Sequence, residues 1–366
     1  MGMGILNRLA ARAAAGALAA CALATACAAQ SEDATAFQID AAHSGGIAFA
    51  AGFSAPLVKK WSFDTGGAVG YPLIAQGQAY VVSNQSNVYA IDLATGKKKW
   101  IHQLGGNANA GAYDNGTLFY ESLSGVLTAL KTKNGKQAWQ VVVDSDTSQP
   151  WVVAVNGSVY IGGPAATSVD EKTGHKNWEV GVEGTDSGIA FGDNLIYAGG
   201  PTQYYGINPD GSVQWLNSGC CEGGGGINVS YANAQVYLVD QGTGNFVLND
   251  KTGAKTGVFS GNTPPSFYSI GSRSYELEIN NGQLVSVNAK TGSVAWTYVN
   301  ADLSGRAIAI NGQPVVAAGS VVTMLDGKKG KVIWQADVGD QITSLTAGDG
   351  VLAVGAGNKV SAYVPQ

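Results

Sequence analysis

Ala90-Ile91-Asp92-Leu93-Ala94-Thr95-Gly96-Lys97-Lys98-Lys99-Trp100 decides the fold. Val88 to Asp92 alternates and is rich in β-formers, so it reads as a strand. Thr95-Gly96 closes a tight turn, where glycine accepts the positive φ that other residues resist. Lys98 to Leu104 is the return strand, and Trp100 is placed to fill the space against a neighbouring unit. The same frame recurs at Asn134-Gly135 with Trp139, Thr173-Gly174 with Trp178, Asp210-Gly211 with Trp215, Thr291-Gly292 with Trp296 and Lys329-Gly330 with Trp334. Thr252-Gly253 leads to Phe259, a degenerate copy. The turn glycines are spaced by 39, 39, 37, 42, 39 and 38 residues. Outside the degenerate copy, the Trp follows the glycine by four.

Before each hairpin lies a further apolar run, such as Gln78 to Val82, Gly157 to Ile161 and Gln235 to Val239. Four strands in about 39 residues predict a β-propeller blade. The chain ends complete the count. Val58-Lys59-Lys60-Trp61-Ser62-Phe63 has the Trp strand without its turn, and Lys359 to Val364 has the strand before the turn without its return. These halves predict an all-β, eight-bladed propeller whose last blade is closed by the N-terminal Trp strand, which covers two otherwise exposed sheet edges.

Composition agrees. There are 52 glycines in 366 residues, and charged residues are 13%, against a usual ~25%. An apolar content of 45% excludes a disordered chain. The pI near 5.2 and net charge of −5 leave no broad basic surface for nucleic acid.

The N-terminus reads as an address. Arg8 and Arg12 precede an apolar run from Ala13 to Ala26, which is an export signal and too short for a transmembrane span. Leu18-Ala19-Ala20-Cys21 and Ala24-Thr25-Ala26-Cys27 both resemble a lipobox, so lipidation is expected at Cys27 or Cys21; a plain secretory cut near Ala26 or Ala29 is the alternative. Removing residues 1–26 leaves a charge of −7. Residues 27–56 read as a tether and lead-in, and 57–366 as one propeller domain. The expected location is the periplasm or outer membrane, with the chain, a monomer, meeting the membrane only through a lipid anchor.

These repeats resemble the eight-bladed, PQQ-binding-like propeller repeat family over residues 40–366, in its BamB-like lipoprotein branch. The turn frame matches the family's Ala-x-Asp-x-x-Thr-Gly-x-x-x-Trp docking motif, and Asp40-Ala41-Ala42-His43-Ser44-Gly45 resembles its usual lead-in. The resemblance implies structural docking roles for Trp61, Trp100, Trp139, Trp178, Trp215, Phe259, Trp296 and Trp334. It also implies two functional branches. One is a scaffold of the outer-membrane β-barrel assembly machine. The other is periplasmic quinoprotein alcohol dehydrogenases, which use PQQ with calcium or a lanthanide.

Cys220-Cys221-Glu222, followed by four glycines and Asn228, is similar to the vicinal disulfide that lies against the quinone in those enzymes. The Arg that follows the Asn in the family is missing here, and the glycines are inserted. Exported thiols this close are expected to pair, as a loop staple or a ligand contact; two reduced thiols are the alternative. Trp151, outside the repeat positions, could stack on a ligand or anchor a loop. Tyr71, Asn109, Asp186, Glu222, Arg273, Arg306 and Gln341 fall in equivalent loops or at starts of inner strands, where they would ring one channel mouth. The remaining metal ligands and Trp floor of a quinone site are not recognisable. His43, His102 and His175 are isolated, so no metal triad is expected. No Gly-x-Ser-x-Gly elbow or phosphate loop is present.

The expected function is therefore a non-catalytic envelope binding or scaffold protein without a cofactor, with an envelope protein or a small ligand at the channel mouth. The alternatives are a small oxidoreductase with PQQ and Ca²⁺, or a surface propeller that binds a sugar or peptide.

Overall fold

The computed structural model describes residues 32–143, 152–182, 188–200, 203–218, 228–239 and 245–366. They form eight antiparallel four-stranded blades in chain order. Blade 1 is Leu73–Ala75, Gln78–Val82, Asn87–Asp92 and Lys98–Gln103. Blade 8 is Ile342–Gly348, Val351–Ala356 and Lys359–Pro365, completed by Leu57–Asp64 from the N-terminal side. That closure strand runs in register from Leu57 opposite Pro365 to Asp64 opposite Lys359. Among the described residues no helix is long and apolar enough to cross a membrane.

Residue type sets the layering. The second strand of blade 1, Gln78–Val82, is buried throughout, because both its faces meet neighbouring blades. The outer strand Lys98–Gln103 exposes Lys98, Lys99, Ile101 and Gln103 at the rim and half-buries Trp100 and His102. Between blades 1 and 2, Tyr80 and Val82 pack on Leu118 and Tyr120, all fully buried.

The tryptophans join the blades by one repeated device. Each indole lies on the turn glycine of the next blade: Trp61 on Gly96, Trp100 on Gly135, Trp139 on Gly174, Trp178 on Gly211, Trp215 on Gly253 and Trp296 on Gly330. These glycines have φ between 65° and 88°, and a Cβ on any of them would strike the ring. Each indole N–H also donates to a carbonyl of that turn, such as Trp100 to Thr132 at 2.7 Å and Trp139 to Glu171 at 2.9 Å. Trp334 donates instead to the Leu57 carbonyl, because blade 8 has no such turn. Trp215 and Trp296 are buried, and the other indoles are half-buried at the rim.

Phe259 departs from the device. It keeps a ring contact with Tyr237 at 6.0 Å, matching that of Tyr80 with Trp100. It does not reach the next turn, since a Cβ at Gly292 would meet nothing within 4 Å.

The Ala-, Ser- and Gly-rich stretch before the propeller looks like a tether by composition, yet from Glu32 onward it is built into the core. Its carbonyls accept N–H groups from successive inner strands. Glu32 takes Asp349, Thr35 takes Tyr113, Ala41 takes Phe191, Ala42 takes Tyr231, Ser44 takes Phe267 and Gly45 takes Ala309, all at 2.7–2.8 Å. Ala34 pairs with Ile74, and Gly46–Ile47 adds a short parallel strand to blade 7. Ala34, Ile39, Phe49 and Phe53 are buried. The segment thus lies across the hairpin ends of the inner strands and closes that end of the channel. Backbone hydrogen bonding recruits it, because the ends of the inner strands would otherwise leave buried N–H groups unpaired.

Candidate functional site

The other end of the channel holds a cavity of ≈ 390 Å³. Its floor is the lead-in, through Phe37 and Gln38, and its walls include Tyr71, Asn228, Arg306 and Gln341. Three of the residues expected at a channel mouth, Tyr71, Arg306 and Gln341, are therefore brought together, joined by the binding candidate Asn228. Tyr71 and Gln341 precede the inner strands of blades 1 and 8, Asn228 precedes that of blade 5, and Arg306 lies within Leu303–Ile310 of blade 7.

Asn109 contributes differently. Its side chain is exposed, and its carbonyl accepts the Tyr71 N–H at 2.7 Å, which fixes the Tyr71 loop. Arg273 is a correction. It pairs with Ile270 across the blade 6 hairpin, so it is exposed at the far end of the inner strand from Tyr71 and Gln341. Reading it as the start of an inner strand misplaced one hairpin. Trp151, Asp186, Cys220, Cys221 and Glu222 lie outside the described residues.

Arg306 organises the cavity. It is 8% exposed. Its Nη2 donates to the carbonyls of His43 at 3.1 Å and Pro265 at 3.0 Å, and to Ser230 Oγ at 2.7 Å. Nε and Nη1 have no partner among the described residues. The Phe37 ring lies 5.8 Å from the guanidinium and 5.0 Å from the Tyr71 ring. Burial pushes Arg306 down to about 9, opposed by Tyr71 and Asp40, so it keeps its charge at neutral pH. The same burial, with Arg306 adding repulsion, pushes His43 down to about 3. His43 is therefore neutral, with Nδ1 donating to the Val229 carbonyl at 3.1 Å.

Asp40 is the counter-charge, and burial raises its carboxyl against the pull of Ser44. Its oxygens accept the N–H groups of Ala42 and Ser44 and the Ser44 hydroxyl at 2.6 Å. Sequence reasoning identified Asp40 to Gly45 as a lead-in and assigned it no part in the site. The unassigned signal is its density of polar groups drawn into the structure: Gln38 and His43 are buried and Asp40 half-buried, within six residues. Gln38, Ile39 and His43 also hold φ of 54°, 82° and 55°, a strain that the surrounding hydrogen bonds must enforce.

The cavity supplies donors and aromatic surface. Among its described lining residues there is no carboxylate, His, Lys or Cys. No cluster of three His, Cys, Asp or Glu side chains that could hold a metal occurs among the described residues. A quinone–metal centre requires carboxylate ligands and a ring floor. Asp40, the carboxylate whose charge acts on Arg306, already serves Ala42 and Ser44. The described residues therefore do not fit PQQ with Ca²⁺.

Comparison with known proteins places the molecule. The family model described as outer membrane protein assembly factor BamB matches residues 15–165, 163–341 and 276–366. The chain is 26% identical over 283 residues to the outer membrane protein assembly factor BamB of Burkholderia pseudomallei, covering 75% of this chain and 68% of that protein. It is 27% identical over 281 residues to the dehydrogenase subunit of the quinone alcohol dehydrogenase of Gluconobacter oxydans, covering 66% of this chain. The match spans only 34% of that subunit. The fold is that of BamB from Moraxella catarrhalis, with a TM-score of 0.68 at 16% identity over 85% of this chain and 98% of that one. The repeats, the eight blades and the family match agree: the chain belongs to the BamB family of PQQ-like propellers.

Proposed function

We propose that this chain is a non-catalytic binding propeller of the cell envelope that receives a segment of a protein partner at the open channel mouth, in the service of outer-membrane protein assembly. Arg306 carries the reading. A buried guanidinium with two unspent nitrogens, Nε and Nη1, in a cavity walled by amides, hydroxyls and rings, can grip a carboxylate or carbonyl of an inserted loop. Among the described residues the same walls hold hydroxyls but no carboxylate, His or Lys beside them to act as a general base. The relatives named for outer-membrane assembly support this reading. Export, and a lipid at Cys27 or Cys21, belong to the proposal and would hold the propeller near such partners.

The test places a photo-crosslinking amino acid at Gln341 in cells. The expected product is an adduct to a component of the outer-membrane assembly machinery, reduced by Arg306→Gln. Because Arg306 also braces the lead-in, Asn228→Trp, which fills the cavity without touching that brace, must reduce it as well. Adducts unchanged by both variants would overturn the reading. In parallel, purified protein is given PQQ with Ca²⁺ or La³⁺. A shifted quinone spectrum with alcohol-dependent dye reduction would favour the oxidoreductase alternative, which the Gluconobacter oxydans relative and Cys220-Cys221-Glu222 support.

A further inference from the structure

A second cavity, of ≈ 640 Å³, opens between blades 5 and 6. Blade 5 is Val229–Ala232, Gln235–Leu238, Phe246–Asn249 and Lys255–Gly257; blade 6 is Ser266–Ile270, Arg273–Asn280, Gln283–Asn288 and Val294–Val299. Two local departures from the repeat create it.

The first is the missing indole. Gly257 stands four residues after Gly253, opposite Val247 and next to the same bulge that places Trp100 opposite Ala90. It is therefore the docking position, left without a side chain. Its target survives. Gly292 has φ 67° with open space above it, and Ala289 stands three residues before it. That is the spacing at which Leu93, Thr132, Glu171, Asp250 and Gly327 accept an indole N–H in other blades. Both Ala289 and Gly292 line the cavity.

The second departure is charge. Four residues past the inner hairpin, the second strand carries Val81, Ile161, Ala198, Leu238 and Val316 in five other blades. Blade 6 carries Glu276 there, with Glu278 on the same face. Both line the cavity and are 8% and 6% exposed. Glu276 accepts the Tyr237 hydroxyl at 2.6 Å, and Glu278 accepts the Ser260 N–H at 2.6 Å. No Lys, Arg or His is among the described lining residues. Two nearly buried carboxylates without a basic partner favour a cation.

We propose that the cleft between blades 5 and 6 is a ligand site for an arylalkylammonium compound, whose ring takes the vacant tryptophan dock on Gly292 and whose ammonium meets Glu276 and Glu278. A ring N–H would find the Ala289 carbonyl, as each resident indole finds its own. Tyr237 and Phe259 form the apolar wall, packed at 6.0 Å. The other seams show what the dock accepts, and the glutamates specify what must be attached to it. The site is separate from the channel mouth and independent of the function proposed for it.

Tryptamine is the probe, titrated into the full exported protein by calorimetry at pH 8. Saturable binding is expected, tighter than that of 3-methylindole by at least about tenfold, since a charge-assisted contact in a desolvated cleft is lost with the amine. Glu276→Gln should remove that preference. Gly257→Trp should restore the dock from within and abolish tryptamine binding, with the fold checked by its melting curve. Equal binding of 3-methylindole would point to a neutral tryptophan side chain of a partner and overturn the amine assignment. Absence of saturable tryptamine binding, or its persistence in a folded Gly257→Trp protein, would overturn the site.

Discussion

The seam between blades 1 and 2 and the seam between blades 5 and 6 use the same strands in the same order, yet one is sealed and the other is open. In the first, Trp100 covers Gly135 and donates to the Thr132 carbonyl, over a packed layer of Tyr80, Val82, Leu118 and Tyr120. In the second, Phe259 holds Tyr237 but leaves Gly292 bare, and Glu276 and Glu278 take positions on the facing strand. A propeller is a closed ring, so each blade is held from both sides. Seven seams joined through tryptophan can therefore hold an eighth that lacks it. The difference shows that a repeat fold can place a polar cleft wherever one repeat stops repeating.

The ring argument can be broken at its closure. Deleting residues 57–64 removes the strand paired with Lys359–Pro365, the indole on Gly96 and the acceptor of Trp334. Both blade 8 and blade 1 lose a neighbour at once. We expect loss of the cooperative melting transition. A deletion variant that melts at the parent temperature would show that the blades do not depend on closure.

The seams themselves come next. Trp139→Ala should cost about 3 kcal/mol, at the low end for a large aromatic because the indole is half-buried. Phe259→Ala should cost less, about 1–2 kcal/mol, because its ring already borders an open cleft and less close packing is lost. Chemical denaturation of the two variants checks the order. A reversal would mean that the open seam, not the sealed one, limits stability.

Much of this architecture could be read from residues in the chain. Glycine and tryptophan at fixed separation reveal the blades, because a ring on a glycine is a contact that tolerates little substitution. The split last blade was legible for the same reason. The channel site was legible only in part. Tyr71, Arg306 and Gln341 could be placed at a mouth by register and Asn228 by its resemblance, whereas Phe37, Gln38, Asp40 and His43 reach it through long-range backbone pairing that leaves no periodic signature. Arg273 was misplaced because it opens the second strand of blade 6, opposite Ile270, and not the inner one. The cleft was visible only as a missing tryptophan. That its dock remains open, and that two carboxylates face it, depends on the neighbouring blade.

The smallest expected effect concerns the protonation of that cleft. Burial pushes the Glu276 carboxyl up to about 7, with Glu278 adding repulsion and the Tyr237 hydroxyl opposing both. A carboxyl held above its unfolded value binds its proton more tightly in the folded state. Its stabilising contribution is therefore complete at acid pH, below the unfolded value near ~4.3, and is lost as pH rises through about 7. Glu278 is shifted in the same direction by burial, and Asp114 and Glu171 are raised elsewhere, so the wild-type slope alone is ambiguous. The difference between wild type and Glu276→Gln isolates one group. Glutamine keeps an oxygen for the Tyr237 hydroxyl and cannot ionise. At pH 5 the two proteins should melt within about 1 °C of each other. At pH 8 the variant should melt a few degrees higher, since ~1 kcal/mol moves the midpoint of a large domain by about 2–4 °C. A melting difference that stays constant from pH 5 to 8 would mean that Glu276 titrates as an ordinary surface carboxyl. The open seam would then be a hydrated groove, and the contrast with its sealed counterparts would reduce to the absence of an indole.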